Sequence, residues 1–139
     1  MVKPENKFDD SYNDLHDKIV LNVDDNEMNQ LVISKILGRL GLKTVAALNG
    51  AEAVKQLSEG LRPDAILMDL QMPVMNGIEA TEIIRKKLYN EVPIIINSGN
   101  VEDFERWRLR RLGIQDFLEK PYTINDISEK LAKNIFHLV

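Results

Sequence analysis

The chain has 139 residues, 44% of them apolar and 29% charged, with no cysteine and a formal net charge of −4. Such a chain is long enough to bury a proper core as one domain, which sets aside disordered and disulfide-stapled classes. A cysteine-based metal site is excluded, and the negative balance gives no electrostatic reason to bind nucleic acid or an anionic membrane directly. No apolar run approaches the roughly 20 residues of a membrane helix. The N-terminus lacks the apolar core of a secretory leader. A cytoplasmic protein is therefore expected.

Residues 1–17 are polar and carry no sustained period. They read as an N-terminal tail or linker, partly ordered at most by Phe8, Tyr12 or Leu15. His16 has no supporting constellation and reads as an ordinary exposed residue. The folded domain is expected over 18–139. Lys18 to Val23 is a short β-branched run, a buried strand. Asn22 is an odd residue inside it, because a buried amide without partners costs about 1–3 kcal/mol. Asp24-Asp25-Asn26-Glu27 follow at once. A helical stripe then runs through Met28, Val32, Ile36 and Leu40, joined by Leu31, Ile33 and Leu37, with Gly41 as its stop.

Lys43 to Leu48 is a second strand, turned by Asn49-Gly50. Ala51 to Leu57 is a short helix facing inward through Ala53, Val54 and Leu57. A third strand ends at Asp69, and a Pro- and Gly-punctuated loop leads into a helix from Gly77 to about Leu88. Val92 to Ser98 is a fourth strand, with Pro93 at its start, where no ladder bond is lost. Val101 to Leu112 is a fourth helix, stopped by Gly113. Ile114 to Leu118 is the fifth strand. Thr123 is a fitting N-cap for the last helix, whose stripe is Ile124, Ile127, Leu131, Ile135 and Leu138.

Five successive βα units with strands this apolar predict an α/β fold: an all-parallel sheet covered by helices on both faces. Right-handed crossovers leave few topologies. Eight units would be needed to close a barrel, so a three-layer doubly wound sandwich is expected.

Taken alone, Asp69 could simply cap a helix or hydrate a loop. However, Asp24, Asp25, Asp69, Ser98 and Lys120 all lie at C-terminal ends of expected parallel strands, and parallel strands bring those ends to one edge. Ligands and chemistry sit outside that edge in open α/β sheets. Crowded carboxylates raise one another's proton affinity unless a cation neutralises them. An all-oxygen set with room for water suits Mg²⁺. A lysine ammonium suits a phosphoryl oxygen, and a serine hydroxyl can donate to another. An aspartate can also be a phosphoryl acceptor. Phosphoryl transfer is mostly positioning and electrostatics, which these groups supply.

Val23-Asp24-Asp25-Asn26, Leu67 through Gly77, Pro93-Ile94-Ile95, Ser98-Gly99 and Gly113 through Pro121 resemble, in order and spacing, the response-regulator receiver domain, most nearly the receivers of hybrid sensor histidine kinases. The resemblance runs from about Lys18 to Val139. It implies a flavodoxin-like sheet of order 2-1-3-4-5 with five helices. It implies that Asp69 takes a phosphoryl group from the phosphohistidine of a sensor histidine kinase or histidine phosphotransfer protein. Asp25, Asp69 and the main-chain carbonyl of Gln71 would hold Mg²⁺, with Asp24 helping through water. Lys120 and Ser98 would contact the phosphoryl group, and Lys120-Pro121 would be cis. The readout surface would be helix four, strand five and helix five, with Phe117 in the switch position. As a phosphoacceptor in a phosphorelay, the protein would not act as an enzyme on an outside substrate.

Several positions depart from the family pattern. Asn76 stands where Asp is usual and can still cap the next helix. Phe117 replaces Tyr, so a switch there must work by packing, and a plain core Phe is the other reading. Asn97 and Asn22 replace apolar residues, and Gly99 replaces Ala. Arg106, Trp107, Arg108, Arg110 and Arg111 form either a docking patch or a solvated helix face with Trp107 half-buried. An aspartate-nucleophile phosphohydrolase would need an acid where Gln71 stands. A flavodoxin would want hydroxyls where the first loop is acidic. A degenerate receiver that binds partners unphosphorylated is opposed by the intact acids, Ser98 and Lys120.

Overall fold

The computed structural model describes residues 15–137. The expected ordering roles of Phe8 and Tyr12, and Leu138 in the last stripe, lie outside the described residues. Five strands, β1 (Ile19–Val23), β2 (Lys43–Ala47), β3 (Ala65–Met68), β4 (Ile94–Ser98) and β5 (Asp116–Glu119), alternate with five helices. These are α1 (Glu27–Arg39), α2 (Gly50–Ser58), α3 (Gly77–Lys86), α4 (Asp103–Arg111) and α5 (Ile124–Ile135). All the strand pairs are parallel, and the sheet order is β2-β1-β3-β4-β5. That is the doubly wound, flavodoxin-like order expected from the sequence.

The central strands β3 and β4 are buried throughout. One face of the sheet packs Leu21, Val23, Ile66, Met68, Ile94 and Ile96 against α2, α3 and α4. The other packs Val20, Leu67, Ile95 and Leu118 against α1 and α5. Period-two alternation splits the apolar run between two cores, as a strand covered on both faces requires. Leu15, at the end of the expected tail, is fully buried in the second core, and Asp17 N–H donates to the Gly41 carbonyl at 2.8 Å.

Helix α1 departs from the expected stripe. Its buried residues are Ile33 and Leu37, whereas Met28 is 65% exposed, Leu31 50% and Val32 47%. The apolar arc of this helix is wider than the strip of sheet it covers, so spacing alone did not select the inner edge. Strand β4 starts at Ile94 rather than Val92, and β5 runs from Asp116 rather than Ile114. Leu48, beyond β2, is 41% exposed.

Caps set the helix starts. Asn76 caps α3: its side chain accepts from Glu79 N–H at 2.9 Å, and Glu79 accepts from Asn76 N–H at 3.0 Å. Thr123 accepts from Asp126 N–H at 3.1 Å, starting α5 where expected. Among the described residues no helix is long and apolar enough to cross a membrane.

Candidate functional site

Strand β1 delivers Asp24 and Asp25 just past its last residue, and β3 delivers Asp69 just past Met68. The two strands are neighbours in register, Val23 opposite Met68. The three carboxylates therefore meet, with one oxygen from each lying within 4.8 Å of the others. Asp24 is buried, Asp69 is partly buried and Asp25 is exposed. Asp24 is fixed from both sides: Oδ1 accepts from Asn26 N–H at 2.9 Å and Oδ2 from the Asn29 amide at 3.2 Å. Gln71 is exposed, and its N–H reaches Asp69 Oδ1 only at 3.4 Å. The loop beyond it turns sharply. Val74 sits at φ 68°, and Met75 N–H donates back to the Pro73 carbonyl at 2.7 Å. A β-branched residue held there carries strain of about 1–3 kcal/mol.

Ser98 ends β4 and is 3% exposed, its hydroxyl directed to the Asn100 carbonyl at 3.4 Å. Lys120 follows β5, is exposed, and shares a cavity of about 380 Å³ with Asp24, Asn29, Asn97, Pro121 and Tyr122. The Lys120-Pro121 peptide is cis. Among the described residues Lys120 makes no ion pair, so it is not locked to any carboxylate. The acids, Lys120 and Ser98 thus share one edge of the sheet.

The three acids crowd one another electrostatically. Burial pushes the Asp69 carboxyl above its ordinary value of 3.8, and the charges of Asp24 and Asp25 push it the same way; the N–H groups of Gln71 and Leu70 pull it back only in part. A raised value means that the folded state binds the proton more tightly than the unfolded chain. Its contribution to stability is present below 3.8 and is lost as pH rises through the raised value. Asp69→Asn is therefore expected to melt a few degrees above the wild type at neutral pH, with the gap closing as pH falls below 3.8. Thermal melts by circular dichroism across pH check this.

The donor set fits a hard divalent cation. Oxygens about 2.1 Å from a Mg²⁺ ion stand at most about 4.2 Å apart, and one oxygen from each acid lies within 4.8 Å of the others, near that limit.

A family model described as the response regulator receiver domain matches residues 20–132. Two-component response regulator 24 of Arabidopsis thaliana is 38% identical over 117 residues, which cover 84% of this chain and 83% of that protein. The chain belongs to the response regulator receiver family. Receivers of hybrid kinases are also similar. Hybrid signal transduction histidine kinase G of Dictyostelium discoideum is 38% identical over 112 residues, 78% of this chain but 3% of that protein. A solved structure at 35% identity and TM-score 0.75 covers 86% of this chain and 98% of its own. It is the receiver domain of the sensor histidine kinase PA1611 of Pseudomonas aeruginosa PAO1, with a magnesium ion coordinated in its active site cleft.

Two features of this receiver escaped the sequence. Gln30, one turn into α1, is hydrogen-bonded to Asn22, to Asp24 and to Ala47. The only hint of it was the misplaced amide of Asn22. Phe117 is half-buried under guanidinium groups, with Arg106 at 4.4 Å and Arg110 at 5.6 Å from the ring centre. Arg106 is itself paired with Glu119 at 2.7 Å. Trp107 is 59% and Phe104 64% exposed, so α4 turns its aromatic residues outward.

Proposed function

We propose that this receiver is the phosphoacceptor module of a two-component phosphorelay. Asp69 takes a phosphoryl group from the phosphohistidine of a sensor histidine kinase or a histidine phosphotransfer protein. An Asp69 carboxylate oxygen forms the new P–O bond as the P–N bond breaks, and the imidazole keeps the electron pair and picks up a proton. Asp25, Asp69 and the Gln71 carbonyl would hold Mg²⁺ directly, and Asp24 through water. When bound, the ion supplies positive charge against the phosphoryl oxygens and the acids. Lys120 brings its ammonium to one phosphoryl oxygen, and Ser98 donates its hydroxyl to another. The observation that carries this reading is the meeting of three carboxylates beside a cavity shared with Lys120, which makes no ion pair among the described residues.

Phosphorylation adds about −1.5 to −2 charges to the edge. Ser98 and its loop move toward that charge, and Phe117 fills the vacated space, changing the surface of α4, β5 and α5. Phe117 has no hydroxyl, so it switches by packing alone. The module changes populations in a signalling pathway and turns over no outside substrate.

The reading is tested by intact mass after incubation with Mg²⁺ and acetyl phosphate. One added phosphoryl group is expected in the wild type, and none in Asp69→Asn or with a chelator. No adduct in the wild type, together with no response to beryllium fluoride, would leave an unphosphorylated protein-binding module on a receiver scaffold.

A further inference from the structure

Asn22 sits in the middle of an otherwise apolar strand and is 1% exposed, which is costly unless its amide is satisfied. Its partner is Gln30. Asn22 Nδ2 donates to Gln30 Oε1 at 2.9 Å. The Gln30 amide nitrogen in turn lies within hydrogen-bond distance of three main-chain carbonyls: Asn22 at 3.0 Å, Asp24 at 2.9 Å and Ala47 at 3.0 Å. An amide has two N–H bonds, so one of them is shared. A single side chain of α1 thus ties together the ends of β1 and β2 and the carbonyl from which the chain turns toward Asp25. Asp24 N–H donates to the same Ala47 carbonyl at 3.0 Å. The main-chain N–H, the main-chain carbonyl and both carboxylate oxygens of Asp24 are all held.

We propose that Gln30 is a positioning residue for the divalent cation site: without touching any carboxylate, it fixes where Asp24 and Asp25 stand relative to Asp69. This rests on the metal reading above. Residues that orient metal ligands from behind typically change affinity 10- to 100-fold when removed. Mg²⁺ demands near-ideal octahedral geometry, whereas Ca²⁺ accepts looser and larger shells. Loss of Gln30 must therefore weaken Mg²⁺ more than Ca²⁺. A side chain that merely stabilised the fold would lower the melting temperature and leave both affinities of the folded protein alone.

The test is calorimetric titration of Mg²⁺ and of Ca²⁺ into wild type, Gln30→Met and Asp69→Asn, at a temperature where circular dichroism shows each fully folded. Gln30→Met keeps the shape and removes the hydrogen bonds. It leaves Asn22 unpartnered, so the double variant Asn22→Val/Gln30→Met, which removes both members of the pair, is measured beside it. We expect Mg²⁺ affinity to fall about tenfold in both Gln30 variants, with a smaller fall for Ca²⁺. Wild-type Mg²⁺ affinity in either folded variant overturns the positioning role while leaving the metal site intact. An equal fall for both ions means that Gln30 does not set the octahedral geometry that Mg²⁺ demands, and also overturns it. Wild type that binds no Mg²⁺, or binds it no better than Asp69→Asn, overturns the metal reading and this inference together.

Discussion

Gly77→Ala is expected to cost about 3 kcal/mol and to disturb Asp69 directly. A Cβ at position 77 would stand 2.2 Å from the Asp69 carbonyl oxygen and 3.0 Å from both the Asp69 carbonyl carbon and Leu70 Cα. All of these are main-chain atoms, so no side-chain rotation relieves the clash. Gly77 is also pinned in place. Its N–H donates to the Leu70 carbonyl at 3.1 Å, and its own carbonyl accepts from the Thr81 hydroxyl at 2.7 Å. Asn76 and Glu79 lock the same turn from outside. Overpacking of a tight site typically costs 1–3 kcal/mol, and a clash against rigid backbone belongs at about the top of that range. Thermal melts should show a drop of about 10 °C. A drop below about 2 °C would mean that the loop after Asp69 and the start of α3 are not in contact as described.

Asp116→Ala should cost about 2 kcal/mol at neutral pH. Asp116 is 5% exposed at the start of β5. Its Oδ1 accepts from Lys130 at 3.1 Å and Lys133 at 3.3 Å, and its Oδ2 from Asn134 at 2.9 Å. Burial pushes its carboxyl up, but these hydrogen bonds and the Lys130 charge outweigh burial and hold it below 3.8. Removing one partner of a fully buried pair costs about 3–5 kcal/mol. Here the lysine side chains are 34% and 46% exposed, and Asn134 keeps its bond to the Lys130 carbonyl, which lowers the cost. The depressed value places the stabilisation above 3.8, with loss as pH falls through the folded value. Urea melts at pH 7 and pH 3 should therefore show a larger difference between wild type and variant at the first than at the second.

What the sequence discloses follows from how local each determinant is. The five strands, the caps at Asn76 and Thr123, and the meeting of Asp24, Asp25 and Asp69 at one edge follow from short patterns plus parallel topology. The inner face of α1 does not, because its apolar arc spans Met28 to Leu40 and only the neighbouring elements decide which edge is covered. Nor does the carbonyl clamp of Gln30, because a helix residue and three strand-end carbonyls share no periodicity. The ion pairs that Arg106 and Arg108 make with Glu119 and Glu82, and the lack of one at Lys120 among the described residues, depend on side-chain directions set by tertiary packing.

Helix α4 contributes a single buried residue, Leu109, and is otherwise tied down by Arg106–Glu119, Arg108–Glu82 and the Arg106 and Arg110 guanidinium groups over the Phe117 ring. Ion pairs at the surface weaken as ionic strength rises, whereas apolar anchoring does not. The local opening free energy of α4 is thus tunable by salt, while that of α3, which shares the Arg108–Glu82 pair but has Ile78, Ala80 and Ile84 inside, is less so. In native-state hydrogen exchange, the α4 amides should lose protection progressively with added salt while those of β3 and β4 stay put. If Asp69 takes a phosphoryl group as proposed, the element expected to answer is then the one held largely by charge, so the new charge would act on it through the same kind of force that holds it.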